Sequence, residues 1–268
     1  MKKRMRRSLS FALPVCLIAV SANSQVGTAD AEFTAGTIAI ENGDSDLALT
    51  HLQRAVVLDP TMIKAHFAIG TVADIWCGTN TDRCEIAIEG YKRALELDSS
   101  YKDASKHLAY ALFMVNRLVE SETHYRRALS LHGDDPEALC AVAAMDARRT
   151  WRDVVFAKLE QKLTPEGALI DSPSCDEVRD KDLGSIDEGI QLLTKALQIK
   201  ADSTDVMGFL SWLHAERAEI QCGDQRAYRG EKDAAREWDR RRKEILERKL
   251  PDQAYLRCTP PPPLMPGH

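Results

Sequence analysis

Apolar positions recur at helical spacing along most of this chain, and small residues recur within them. Gly36 is followed by Ala48, Leu52, Ala55 and Leu58; Gly70 by Ala87, Tyr91, Ala94 and Leu97; Leu108-Ala109 by Ser121, Tyr125, Ala128 and Leu131. Ala94 and Ala128 stand 34 residues apart. Ala55 and Ala94 stand 39 apart, which is 34 with five added in the stretch Cys77–Cys84. Apolar residues three and four apart form one helical face, and self-similarity at a fixed period near 34 marks stacked repeats. Gly36, Gly70 and Ala109, paired with Ala48, Ala87 and Ser121, let two antiparallel helices approach closely. Leu52, Tyr91 and Tyr125 fill the space against the next unit. Asp59-Pro60 ends a helix, because proline disfavours helical geometry in the residue before it. No stretch alternates polar and apolar residues with period two, so no sheet is expected. The pattern predicts an all-α, antiparallel helix-pair solenoid whose units bury their stripes by stacking.

These positions resemble the tetratricopeptide repeat (TPR) family, in three units at 29–62, 63–101 and 102–135. A fourth first-helix is expected at 136–149, with a degenerate partner at 151–163, closing the repeat region at 29–163. Residues 164–182 are rich in Pro, Asp and Ser and read as a loop. Residues 183–250 then hold a partial repeat (Gly189, Leu193, Ala196 and Ile199, then Leu210-Ser211-Trp212) and a long charged helix from about 225 to 249 that Pro251 ends. This ending is similar to the C-terminal part of exported bacterial TPR proteins, in which a long helix follows the last helix pair. The tail, 251–268, contains four consecutive prolines and reads as extended and disordered.

The first residues are of a different kind. Met1–Arg7 carries five basic residues, an apolar run of about thirteen follows, and small residues stand at Ser21-Ala22-Asn23-Ser24. Residues 1–24 thus have the plan of a secretory signal peptide, cleaved after Ala22 or Ser24. Val15 disfavours lipidation of Cys16, and the run is short for a membrane span. Without these residues 31 basic face 41 acidic ones, and the formal charge moves from -5 to -10. Six cysteines then remain, an even number that suggests disulfides in an exported, periplasmic or secreted protein. Cys77 and Cys84 flank a polar turn between antiparallel helices and form the candidate disulfide. A redox couple or a metal site with His66 or Asp74 is the alternative. The pairing of Cys140, Cys175, Cys222 and Cys258 stays open.

The resemblance implies that the first helix of each unit lines a concave groove. In register, that places Phe33, Thr37 and Ile40, then Lys64, Phe67 and Thr71, then Lys106, Tyr110, Phe113 and Met114 on the partner-binding face, with Cys140, Ala144 and Arg148 following. Aromatic and charged residues on one face suit a peptide or protein segment. A carboxylate clamp is not expected, since Phe33, Thr37, Ala68, Asp103 and His107 occupy its positions and an acid repels a carboxylate. The seven histidines form no HExxH cluster, and GxSxG, GxxxxGK[ST] and GxGxxG are absent. No enzyme, cofactor or metal is expected. The basic run Arg236–Lys249 is interleaved with acids at helical spacing, which suits a solvated face rather than nucleic-acid binding. The expectation is a non-enzymatic scaffold that binds a peptide or protein segment in its groove. The alternative is an assembly subunit of an envelope complex that uses its convex face or C-terminal helix.

Overall fold

The computed structural model describes residues 21–101, 103–164, 168–169 and 171–248. Among them are ten helices and no strand, as expected for an all-α solenoid. The order is α1 (Ser21–Glu41), α2 (Ser45–Leu58), α3 (Ile63–Asp74), α4 (Thr81–Leu97), α5 (Ala104–Met114), α6 (Leu118–Leu131), α7 (Pro136–Glu160), α8 (Pro173–Ile199), α9 (Thr204–Glu219) and α10 (Gln225–Arg248). Each helix packs on the next, and α3 also touches α5 while α7 touches α9. Odd-numbered helices therefore neighbour one another along one layer of the stack, which is the inner layer in the TPR expectation. Residues 1–20 and 249–268, which carry most of the expected leader and the proline tail, lie outside the described residues; Ser21–Ser24 belong to α1.

The core is a succession of small clusters rather than one. Ala29, Ala55, Met62 and Ala65 form the first, and Ala39, Ala48, Leu52, Ile69 and Val72 the second. The largest, toward the C-terminus, joins residues of α7, α8 and α9 around Ile186, Leu193, Phe209 and Leu213. Inside each unit the small-against-large pairing is literal. A Cβ on Gly36 would lie 2.8 Å from Leu52 Cγ, and one on Gly70 would lie 2.6 Å from the Tyr91 ring. Ser121 Oγ donates to Ala109 O at 2.7 Å. Leu52 and Tyr91 are fully buried.

Helix starts are set by side chains that accept from otherwise unpaired backbone N–H groups. Asp44, Asn80, Asp135, Ser172 and Ser203 do this for α2, α4, α7, α8 and α9. The odd-to-even turns reverse through left-handed residues: Gly43, Asn116, Lys162, and Cys222 with Gly223. The α3–α4 turn carries the five-residue insertion instead and is closed by the Cys77–Cys84 disulfide.

Two expected boundaries are corrected. Residues 136–149 and 151–163 do not form a helix pair; α7 runs unbroken from Pro136 to Glu160. The sequence Arg148-Arg149-Thr150-Trp151 contains no breaker, and Thr150 is buried and held by Ala147 O and Glu216. The stretch 164–182 is not a loop throughout, because α8 begins at Pro173. Ser172-Pro173 is an N-cap followed by proline at the first helical position, which is a helix start, and Cys175, Val178 and Asp182 are buried on that helix. The 25-residue α7 thus pairs with the 27-residue α8 as an enlarged fourth unit. Likewise α10 does not follow the last pair; packed along α9, it is that pair's second helix.

Candidate binding surfaces

On the inner layer, α1 and α3 meet through a repeated set of side chains. Phe33 and Phe67 stand 34 residues apart, as do Thr37 and Thr71, and Asp30 and Lys64. The Lys64 ammonium sits 4.6 Å over the Phe33 ring and 3.0 Å from Asp30 Oδ1. Thr37 Oγ donates to Phe33 O and Thr71 Oγ donates to Phe67 O, each bond closing on its own helix. Lys64, Thr71 and Ile40 are exposed, whereas Phe33, Thr37 and Phe67 are half-buried.

Further along, the expected groove residues are engaged differently. Phe67 belongs to an aromatic cluster with Tyr91 at 5.5 Å, Tyr101 at 5.2 Å and His107 at 5.8 Å. Burial, and then the Asp74 charge, push the Tyr91 hydroxyl well above its usual range. Lys106 pairs with Asp135 at 2.7 Å and Glu137 at 3.2 Å. Burial opposes its charge, but these acids outweigh it and raise its pKa. Lys106 therefore ties α5 to the start of α7. Tyr110 packs beside Tyr125 and Ala128, and Met114 reaches the insertion at Gly78. Phe113 points to a cavity described below.

A second surface, not foreseen from the repeat register, runs along the edge where odd helices end and even helices begin. Ile38 and Ile40 lie exposed near the end of α1, Leu47 at the start of α2, Ile75 and Trp76 in the α3–α4 turn, Val119 at the start of α6, and Phe156 and Leu159 near the end of α7. The other exposed large apolar residues, Val57, Leu131, Ile199 and Leu246, each lie near the end of an even helix. Both described disulfides, Cys77–Cys84 and Cys175–Cys222, sit on the odd-to-even edge as well. Cys140, in α7, is also disulfide-bonded. A cavity of about 500 Å³ opens where α7 overruns the short α5–α6 turn, lined by Phe113, Leu118, Val119, Met145, Trp151 and three arginines.

Behind that edge lies a cluster of buried carboxyls. Asp146, Asp182, Glu216 and Glu219 come from α7, α8 and α9. Arg149 and Arg126 contact Asp146, and Lys158 contacts Glu219 at 3.2 Å. No group of His, Cys, Asp or Glu among the described residues has the arrangement of a metal site, and no described helix is long and apolar enough to cross a membrane.

No family model and no curated protein matches the chain by sequence. Solved structures do match by shape. A crystal structure of MamA protein aligns over 85% of this chain and 97% of its own, with a TM-score of 0.57 at 17% identity. YrrB, described as a TPR protein with an unusual peptide-binding site, aligns over 86% of this chain and 94% of its own, with a TM-score of 0.57 at 14% identity. The fold is that of a tetratricopeptide-repeat protein. At this identity the likeness establishes the TPR architecture alone. It does not assign binding residues.

Within the TPR frame, α1/α2, α3/α4 and α5/α6 are ordinary repeats, α7/α8 is an enlarged one and α9/α10 ends the described stack. What the register missed was the cavity, and with it Leu118, Val119, Arg149 and Trp151. The available signal was the missing breaker between Arg148 and Arg152, which lets α7 continue past the length of its predecessors.

Proposed function

We propose that this protein is an exported scaffold that holds a peptide or protein segment along its inner layer, without catalysis. One observation carries the reading. Phe33 and Phe67 recur one repeat apart with Thr37 and Thr71 four residues further on, so an extended segment meets similar apolar and hydroxyl groups at successive steps. Lys64, over Phe33, and exposed Ile40 and Thr71 complete that face. Preformed helices lower the ordering cost of binding, and flanking charges orient the segment. Engaged cysteines support an oxidising compartment. The assembly alternative finds less support in α10, whose outer charges pair along the helix: Arg240 with Glu237 and Glu244, Arg236 with Asp233, and Lys243 with Asp239.

The test is native co-purification of the mature protein from the cell envelope, compared with a Thr71→Arg, Lys64→Glu variant. The expected result is a mature chain starting at Asn23 or Gln25, with a partner lost from the variant. An intact chain starting at Met1 in the cytosol would overturn export, and a partner retained by the variant would overturn the groove.

A further inference from the structure

We infer a second binding site at the odd-to-even edge, distinct from the α1–α3 face and taking in Phe113 and Arg148 that the repeat register assigns to the groove, for a protein segment presenting a bulky apolar side chain beside a carboxylate. The cavity between α5, α6 and α7 supplies the apolar half. At about 500 Å³ it lies within the ~300–1,000 Å³ of ordinary ligand sites. Phe113, Met145 and Trp151 form its wall, while Val119, 82% exposed, stands at the lip. An aliphatic or aromatic side chain entering there would cover apolar surface that now faces water.

The arginines supply the polar half. Glu122 is the only acid lining the cavity, and both its oxygens are taken: Arg126 Nε donates to one at 2.9 Å and Arg149 Nη1 to the other at 3.3 Å. Arg149 is further occupied by Asp146. Arg152 has a long 3.4 Å contact with Asp153, whose other oxygen lies 2.5 Å from Lys181. Arg148 is exposed and has no ion pair among the described residues. A chain that is acidic overall thus carries a locally cationic rim around an apolar hollow. That combination fits an anionic amphipathic segment, since guanidinium groups take carboxylates in a forked geometry. The exposed Phe156 and Leu159, farther along the α7 overrun, continue the apolar path beyond the cavity. Burying them against a partner would explain why an overrunning helix keeps large apolar residues in water.

The site is tested by panning a library of random dodecapeptides against the full mature chain with its disulfides intact. An enriched peptide is then synthesised with a fluorophore and titrated by anisotropy. The expected result is enrichment of Phe, Leu or Met next to Asp or Glu. Affinity should fall at least about tenfold in Arg148→Glu and in Val119→Glu, both surface positions whose helicity is checked by circular dichroism, while Thr71→Arg leaves it unchanged. No enrichment, enrichment of peptides lacking acids, or affinity unaffected by Arg148→Glu would overturn the site. Binding lost only in Thr71→Arg would keep the groove and overturn the edge; binding lost only in the edge variants supports the edge and leaves the groove to the co-purification test above.

Discussion

Gly90 shows how tightly single residues set the helix spacing. A Cβ there would lie 2.8 Å from both Gly70 N and His66 O, atoms of the α3 backbone that cannot step aside. At Gly36 the obstacle is the Leu52 side chain, with Cγ at 2.8 Å and Cδ2 at 2.9 Å, which can yield by rotation where backbone cannot. Gly90→Ala should therefore cost about 1–3 kcal/mol, as overpacking does, and Gly36→Ala clearly less. Thermal melts of both variants check this, and equal losses would contradict the assigned contacts. Glu216 shows a second residue-scale constraint. Thr150 Oγ lies 3.1 Å from Ala147 O and 2.5 Å from Glu216 Oε2, yet a hydroxyl has one proton to donate. If that proton goes to Ala147 O, Glu216 must supply the other, which requires its carboxyl to be protonated. Burial pushes its pKa well up, in agreement. None of this was legible in the sequence, because Glu216 reads as one more polar residue on an amphipathic helix.

Among the elements, the three regular helix pairs were legible because their small and large residues recur at fixed spacing. The fourth pair was not. Its helices exceed the standard repeat length, and Ser172-Pro173 is loop chemistry that also starts a helix. The disulfides close the expanded α3–α4 turn and join the start of α8 to the α9–α10 turn. Cys77–Cys84 closes a separation of 7 residues and Cys175–Cys222 one of 47. Loop-closure entropy gives about 2.5 kcal/mol for the first and about 4 kcal/mol for the second. Replacing each pair by serines should lower the denaturant midpoint in that order, with non-reducing peptide mapping to verify the linkages in the parent. A larger loss from the shorter loop would show that the expanded α3–α4 turn, rather than chain entropy, governs the effect.

At the scale of the whole molecule, the buried acids shape how stability responds to pH. Burial raises Asp146 to about 6 despite its arginines, and it raises Asp182 and Glu216 as well. A raised carboxyl favours the folded state most below its unfolded value near 4, and that advantage is lost as pH climbs through the folded value. Asp135 and Glu231 are held low, so their contribution holds at neutral pH and fades on strong acidification. Burial lowers His124, which opposes the gain between pH 7 and 5, but three carboxyls outweigh one imidazole. The melting temperature should rise from pH 7 to about pH 5 and fall below about pH 4. Glu216→Gln should melt higher than the parent at pH 7 and shrink the rise; a profile unchanged by that substitution would refute the protonation assigned to it.

A stack of short-range contacts also has a mechanical character. Pulled from its two ends, such a chain yields unit by unit, but covalent loops cannot lengthen. The two described disulfides, with separations of 7 and 47 residues, withhold 54 residues of contour, about 190 Å at full extension. Oxidised, the molecule is a tether with a shorter reach, and reduction alone would lengthen it.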